Sequence, residues 1–459
     1  MSLAFRATFL VTVAVFVYTG SWSMHYHGVM SQMRWVMLAL LCAFTLGAPQ
    51  RRRGEFSGGG VKLLSWAFAG LAILSAGYST RYPLYTLKRG VSVALLVLFL
   101  YGALWPRLKR ARDYHSLFNL LAISGAGVVG LSWLAVLLIP GSGVRSYTGA
   151  WQGVFGNPNM LGMMLAVVVP VLAAKFHETF SARRLRACIL WGALAVMSFL
   201  LVYRSGSRAG LLGAFLGTLA FYGSYYGKKI FFVGTLLVVL AGPYFLVSEE
   251  VPIFDDVTAM MMRDETSFAE LGSGRVQFWQ KGWERFRESP LYGHGFGSAG
   301  DYYMAPERPF RYHSSFVQIS TDLGLLGFFF FCAPMIYFAL KLLRGKVSSL
   351  SSHAARAALA GFAAAWVGAL FNCLFESWLY SVGNPMTLLA WVAFAAAVKG
   401  LSEFPNLDEA APARQVRGRV AFLPSERGGR RGDTSPAGEG APGTGEERGR
   451  PREGAQDEV

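Results

Sequence analysis

Residues 272–298 read GSGRVQFWQKGWERFRESPLYGHGFGS, and residues 311–327 read RYHSSFVQISTDLGLLG. These two segments bound the one long polar interval between the apolar runs of the chain. The apolar runs on either side have the length of membrane-spanning helices, roughly 17–25 residues. The polar interval is therefore predicted to lie at a membrane surface, with the rest of the chain arranged around it.

Hydrophobic residues make up 53% of the 459-residue chain, which argues against a soluble protein. The sequence predicts an all-α polytopic membrane protein with about twelve transmembrane helices. One large outer loop, residues 248–312, is predicted to contain short amphipathic helices. The four cysteines lie in or at the ends of apolar runs without paired spacing, which argues against a disulfide framework or a zinc site. The predicted spans centre near residues 12, 40, 69, 97, 127, 164, 195, 216, 238, 332, 364 and 392.

The net charge of +16 is explained by membrane orientation rather than by nucleic-acid binding. Lysines and arginines gather in alternate short loops, and the positive-inside rule places such loops in the cytoplasm. Both termini are then cytoplasmic and the large loop faces outward. Residues 1–400 are predicted to form the membrane domain. Residues 401–459 are rich in Gly, Pro, Arg and Glu, which predicts a disordered cytoplasmic tail. The basic groups fall within residues 51–62, 107–112, 175–186, 228–229 and 341–356.

Several arginines face outward in this topology and are not explained by it. A charged side chain near a bilayer is costly unless it is paired or hydrated, so each of these arginines is a candidate for binding an anionic ligand. The alternative for each is a snorkelling or capping role, and for Arg81 and Arg89 both interpretations remain open. Outside the large loop, these residues are Arg81, Arg89, Arg145, Arg204 and Arg208.

Residues 203–210, YRSGSRAG, predict a very short turn between two spans. Arg204 and Arg208 would aim several donors at one point on the outer face. Backbone amides at the helix start after Ser207 would add partial positive charge there. Guanidinium groups bind phosphate oxygens two at a time, so the pattern favours a diphosphate ligand.

Asn157 and Asn159 flank Pro158 just before the sixth predicted span. One of them is predicted to cap that helix. The sharper alternative is that the two amides hydrogen-bond a sugar or a phosphate, and both roles are compatible.

Within the large loop, a helix is predicted from about Gly274 to Ser289, ended by Pro290. Arg275 falls in its first turn, where the helix dipole disfavours a cation and a bound anion would relieve the conflict. The glycines of YGHGFGS follow no strand, so a nucleotide loop is excluded on context. They predict a tight turn that brings backbone close to a ligand or another helix.

His313 lies at the outer end of the tenth predicted span, where Ser314 or Ser315 can cap the helix. A lone histidine is more often a structural hydrogen-bonding residue. At a membrane–water boundary, however, an imidazole that exchanges protons near neutral pH can act as a general base on a sugar hydroxyl. Glu376, near the outer end of the eleventh span, is placed to pair with an arginine or to orient His313.

The chain resembles the O-antigen ligase and O-antigen polymerase superfamily of bacterial inner-membrane glycosyltransferases, and its layout is closest to the ligases. The resemblance spans roughly residues 60–400. The motifs that carry it are VFGNPNMLG at 154–162, SGSRAG at 205–210, the segment 272–298 and YHSSFVQISTDLGLLG at 312–327.

The resemblance implies a transferase at the periplasmic face of the inner membrane, whose donor is a glycan on undecaprenyl diphosphate. The acceptor would be lipid A-core in a ligase, or another glycan in an O-antigen, capsule or exopolysaccharide polymerase. Arg208 and Arg275 would hold the diphosphate and His313 would be the general base, with no metal ion or cofactor. A lipid-linked glycan transporter is the alternative from another class, but the sequence lacks the internal repeat typical of many transporters.

Overall fold

The computed structural model describes residues 1–20, 27–47, 59–79, 83–146, 148–227, 275–297, 312–345 and 347–403. Arg81, the span predicted near residue 238, most of the loop 248–312 and the predicted tail from residue 404 onward lie outside these ranges. The described residues form helices and connecting turns. In chain order the helices are α1 (Leu3–Thr19), α2 (His27–Ala43), α3 (Gly59–Leu74), α4 (Pro83–Leu98), α5 (Ala111–Leu138), α6 (Pro140–Gly143), α7 (Pro158–Ser181), α8 (Leu185–Arg204), α9 (Arg208–Tyr226), α10 (Arg275–Glu288), α11 (Ser315–Arg344), α12 (His353–Phe375) and α13 (Pro385–Ser402).

Within these ranges, eight helical segments are long and apolar enough to cross a membrane. The first is Gly59–Gly77 and the last is Pro385–Ser402. The spans predicted near residues 12 and 40 are shorter apolar helices, Leu3–Thr19 and Met33–Ala43. The span predicted near residue 216 is α9, which is not among the eight. The prediction of an all-α polytopic membrane protein is confirmed.

Helices α7 and α9 run side by side in the same direction. Small residues along both helices let their backbones touch. Gly210 lies against Gly162, and Gly217 lies against the ring of Pro170. Small residues at helix interfaces are the usual basis of close packing inside membranes. The N-termini of α7 and α9 therefore lie at the same end of the bundle.

Helices α9 and α12 run in opposite directions. Gly213 lies against the Gly368 carbonyl and the Asn372 side chain, whereas Gly217 lies against the carbonyl of Ala364, about one turn before Gly368 on α12. The C-terminus of α12 thus lies beside the N-terminus of α9. The Ser315 hydroxyl at the start of α11 donates to the Glu376 carbonyl, 2.9 Å away, so α11 begins at this end as well.

Replacing Gly210 with alanine should destabilise the protein by about 1–3 kcal/mol, as overpacking of a tight contact does. A methyl group at Gly210 would lie 2.7 Å from the Gly162 Cα and 2.8 Å from its carbonyl oxygen. Thermal unfolding of the purified protein in detergent measures the effect. The matched control is Gly130→Ala on α5, where a methyl group would meet nothing within 4 Å. Equal melting temperatures for the two variants would contradict the close contact.

Candidate functional site

A buried carboxylate joins two of the residues singled out from the sequence. The Glu376 side chain is 5% exposed, and its Oε1 lies 2.7 Å from Nη2 of Arg275. Its Oε2 lies 3.5 Å from Nδ1 of His313. We call Arg275, His313 and Glu376 the Glu376 cluster. Both contacts anticipated for Glu376, with an arginine and with His313, are therefore present in the structure.

Backbone contacts fix the position of Glu376, the residue that follows the last turn of α12. Its carbonyl accepts the hydrogen bond from Ser315. The hydroxyl of the next residue, Ser377, accepts a 2.9 Å hydrogen bond from the backbone N–H of Ser314. The chain leaving α12 is thus fastened to the chain entering α11 on both sides of the carboxylate. This arrangement holds the carboxylate of Glu376 beside the backbone that carries His313.

His313 has a left-handed backbone conformation with φ 48°, which is uncommon for a residue other than glycine. Ser314 is the N-cap of α11, accepting from the Val317 N–H as predicted. The imidazole packs 5.4 Å from the Phe278 ring, centroid to centroid. Its side chain is 34% exposed. The ring therefore has one nitrogen facing Glu376 and remains reachable from outside.

Arg275 is the first residue of α10, where the helix dipole disfavours a cation, as the sequence indicates. The anion that relieves this conflict in the structure is the carboxylate of Glu376. A guanidinium has five N–H donors, and within the described residues this contact uses one nitrogen of Arg275. The predicted anion site therefore already contains a protein carboxylate, and the remaining donors are those available to a ligand.

The loop after α10 inserts into a break in α11. Gly324 has φ 64° and ψ −163°, which interrupts the helix. The Leu325 N–H donates to the Pro290 carbonyl at 2.8 Å, and the Leu326 N–H donates to the Leu291 carbonyl at 3.3 Å. Backbone groups released by the break are thus satisfied by the loop, as the membrane environment requires.

Asp322 fastens the glycine turn YGHGFGS to α11. Its carboxylate accepts from the Gly297 N–H at 2.7 Å, and its carbonyl accepts from the Gly295 N–H at 2.9 Å. A side chain at Gly293 would collide with the Asp322 backbone. The prediction that these glycines bring backbone close to another helix is confirmed. The role of Asp322 was missed, although the sequence shows an acid two helical turns after Ser315 on the same face.

Tyr78 makes a further hydrogen bond to this loop. Its hydroxyl donates to the Tyr292 carbonyl at 2.8 Å. Burial raises the pKa of Tyr78 above its ordinary value, and the charge of Asp322 adds to the effect. The phenol therefore keeps the proton that it donates.

Arg208 is the first residue of α9 and is half-buried. The helix starts after Ser207, as predicted, and Ser207 caps it by accepting from the Gly210 N–H at 3.2 Å. Gly213 lies against both Gly368 and Asn372 of α12. Arg208 is five residues before Gly213, and Glu376 is four residues after Asn372. Because both helices rise about 1.5 Å per residue, Arg208 and Glu376 lie at nearly the same level of the bundle.

Arg204 is the last residue of α8, and Arg145 lies in the loop between α6 and α7. The Arg204 side chain is exposed and stacks over the Trp151 ring, 5.2 Å from its centroid. The Arg204 carbonyl accepts from the Trp151 N–H at 2.9 Å. The Arg145 N–H donates to the Ala150 carbonyl at 2.9 Å, which closes the loop. Arg204 thus contacts the loop between α6 and α7 through both its side chain and its carbonyl.

Asn157 is the N-cap of α7, and its side chain accepts from the Asn159 N–H at 2.8 Å. The predicted capping role is confirmed, and both asparagines are half-buried at the site end of the bundle. Arg89 lies against Gly297, donates to the Tyr85 hydroxyl at 3.1 Å and sits 5.6 Å from the Phe296 ring. Arg89 therefore contacts the loop that carries the glycine turn.

Part of the chain is similar to a known protein family. Residues 193–332 match the family model described as O-antigen ligase. The matched segment contains Arg204, Arg208, Arg275 and His313, whereas Glu376 lies beyond it. Comparison with curated proteins gives no significant match. The family match confirms the resemblance to the O-antigen ligase and polymerase superfamily over the segment that carries these four residues.

Proposed function

We propose that this protein is an O-antigen ligase, which transfers a glycan from undecaprenyl diphosphate to a hydroxyl of lipid A-core at the periplasmic face of the bacterial inner membrane. The observation that carries the proposal is the Glu376 cluster, in which one buried carboxylate holds both an imidazole and a guanidinium. The family match over residues 193–332 supports the reaction class. The positive-inside pattern supports cytoplasmic termini and a periplasmic site.

In the proposed reaction, His313 takes the proton from the acceptor hydroxyl. The oxygen then attacks the anomeric carbon of the donor sugar and forms the new glycosidic bond. The bond between that carbon and the diphosphate oxygen breaks, and undecaprenyl diphosphate leaves with the electron pair. Attack from the face opposite the diphosphate inverts the anomeric centre. Glu376 stabilises the imidazolium that forms when His313 accepts the proton.

The arginines are proposed to hold the leaving group. Arg275 and Arg208, assisted by Arg204, bind the diphosphate oxygens and stabilise the charge that develops there. Diphosphate is already a good leaving group. The proposed reaction therefore needs only neutralisation of the diphosphate charge and activation of one acceptor hydroxyl. Asn157, Asn159, Arg89 and Arg145 are proposed to contact the rest of the substrate. We propose that the reaction requires neither a metal ion nor a nucleotide.

The test uses purified full-length protein in detergent with undecaprenyl-diphosphate glycan and lipid A-core, in the presence of a chelator and without nucleotide. Glycan attached to lipid A-core is the expected product. Donor joined to donor would identify a polymerase with the same donor chemistry. Donor that binds without forming either product would favour a transporter. A reaction lacking lipid A-core is the control that separates the first two outcomes.

A further inference from the structure

A pocket with a volume of about 100 Å³ lies beside α1 and α2. Its walls come from the last turn of α1, from α2 and from the chain that connects α12 to α13. That connecting chain begins with Glu376 at the C-terminus of α12, so the pocket lies at the end of the bundle that carries the Glu376 cluster. The lining residues are Phe16, Arg34, Trp35, Leu38, Val382 and Gly383.

Arg34 gives this pocket its charge. The side chains of Phe16 and Leu38, each 1% exposed, form an apolar wall, whereas Arg34 is half-buried. A cation beside apolar groups is costly unless anionic or polar groups accompany it. A guanidinium has five N–H donors, more than one contact can use. The pocket therefore presents positive charge and hydrogen-bond donors to a group that enters it.

Gly383 leaves the space that the guanidinium fills. Its φ of 110° is a conformation that glycine adopts readily and other residues rarely do. A Cβ at this position would lie 3.2 Å from both Cδ and Nη1 of Arg34, closer than an ordinary van der Waals contact. A residue with a side chain would thus be strained and would push the guanidinium away. The backbone at Gly383 sets where the charge of Arg34 lies.

Arg34 lies at the depth of the lipid head groups. The apolar helical segment Met33–Ala43 begins one residue before it. Trp35 follows it, and tryptophan is enriched at the boundary between membrane and water. The side chains of Val36 and Leu40 are exposed on the same helix, where lipid chains would cover them. A lipid lying against this helix would therefore bring its head group to the level of Arg34.

We propose that this pocket binds the phosphate group of a membrane lipid. A guanidinium binds phosphate oxygens two at a time, and its charge complements the phosphate. A water molecule takes up about 30 Å³ in the liquid, so a pocket of about 100 Å³ has room for a group of phosphate size rather than for a sugar chain. Neither Arg208 nor Arg275 lines the pocket, so this is a second phosphate site beyond the one in the proposed function.

The test is Arg34→Gln in the full-length protein in detergent, with bound lipid measured by native mass spectrometry. The first probe is dioleoyl phosphatidylglycerol, and its control is dioleoylglycerol, which has the same chains without the phosphate. We expect the variant to bind phosphatidylglycerol about 10-fold more weakly, the effect of losing a hydrogen bond to a charged group. Binding of dioleoylglycerol should not change. An equal loss for dioleoylglycerol would show that the chains are recognised instead, and would overturn the proposal.

Undecaprenyl diphosphate, without a glycan, is the second probe and identifies the source of the phosphate. Weaker binding of both phosphate-bearing lipids by Arg34→Gln would show a site for lipid phosphate in general. Weaker binding of undecaprenyl diphosphate alone would assign the site to the lipid carrier. Unchanged binding of both would overturn the proposal. Because no transfer is measured, the result does not depend on the ligase reaction.

Two further variants separate the pocket from general effects of charge and folding. Arg287→Gln removes the same charge from an exposed position on α10, outside the pocket, and should bind both probes like the parent protein. Val382→Phe fills part of the pocket and leaves Arg34 in place, so it should weaken binding as Arg34→Gln does. Thermal unfolding shows that each variant is folded. If Arg34→Gln does not fold, Val382→Phe provides the same comparison.

Discussion

Replacing His313 with asparagine should lower the rate of glycan transfer by about 10²–10⁴-fold, the usual contribution of a general base. Asparagine is the appropriate replacement because His313 has a positive φ, and asparagine tolerates that region better than alanine does. The loss of the imidazole is then separated from backbone strain. Transfer is measured with undecaprenyl-diphosphate glycan and lipid A-core, and donor binding is measured alongside it.

The control for this variant is His294→Asn. The His294 ring lies 2.8 Å from the Arg285 carbonyl, away from Glu376, and so serves the local structure of the loop. This control should retain transfer within a few-fold of the parent protein. Full activity in His313→Asn would show that the base is another group. Loss of donor binding together with transfer would assign the imidazole to substrate binding instead.

Replacing Glu376 with glutamine should lower the free energy of unfolding by about 3–5 kcal/mol. Removing one partner of a buried ion pair leaves the other charge uncompensated. Glu376 is 5% exposed and Arg275 is 16% exposed, so water does not substitute for the lost carboxylate. Thermal unfolding in detergent measures this effect, ideally with Arg275→Gln and the double variant to complete a cycle.

Glutamine at position 376 should also lower kcat, because the imidazolium formed during transfer loses its counter-charge. The KM for the donor should rise less than kcat falls, since the guanidinium of Arg275 remains present. A purely structural Glu376 would instead lower the amount of folded protein without changing kcat per folded molecule. That result would remove Glu376 from the proposed mechanism.

Glu288→Gln is the matched control for Glu376→Gln. Glu288 pairs with Arg285 on the same helix as Arg275, but its side chain is 55% exposed. Exposed ion pairs contribute about 0–1 kcal/mol because water and salt screen them. This variant should therefore unfold close to the parent temperature and retain its kcat.

Much of the fold is predictable from local sequence signals. Hydropathy indicates the membrane helices, and the caps at Asn157, Ser207 and Ser314 mark where three of them begin. Each signal is contained within a few residues, so one sequence is enough to read it. The position of Arg275 at the start of a helix is also predictable from its neighbouring residues.

The contacts that assemble the site are not local. Glu376 lies 101 residues from Arg275 and 63 residues from His313 in the chain. A carboxylate at the end of an apolar run is costly unless it is paired, so the sequence predicts that Glu376 has a cationic partner. It does not identify which cation that is. The break at Gly324 is also not predictable from the sequence, because a glycine inside an apolar run is compatible with an unbroken helix.

The break at Gly324 has a consequence for how such a site can diversify. The loop from Pro290 to Gly297 is attached to α11 largely by main-chain hydrogen bonds, which are the same for almost any amino acid. The glycines, His294 on the Arg285 carbonyl and the buried Phe296 are restricted by their contacts, whereas the exposed side chains of Leu291 and Tyr292 can be exchanged without disturbing those main-chain bonds. Evolution can therefore vary the surface of this loop while the groups of the Glu376 cluster keep their spacing.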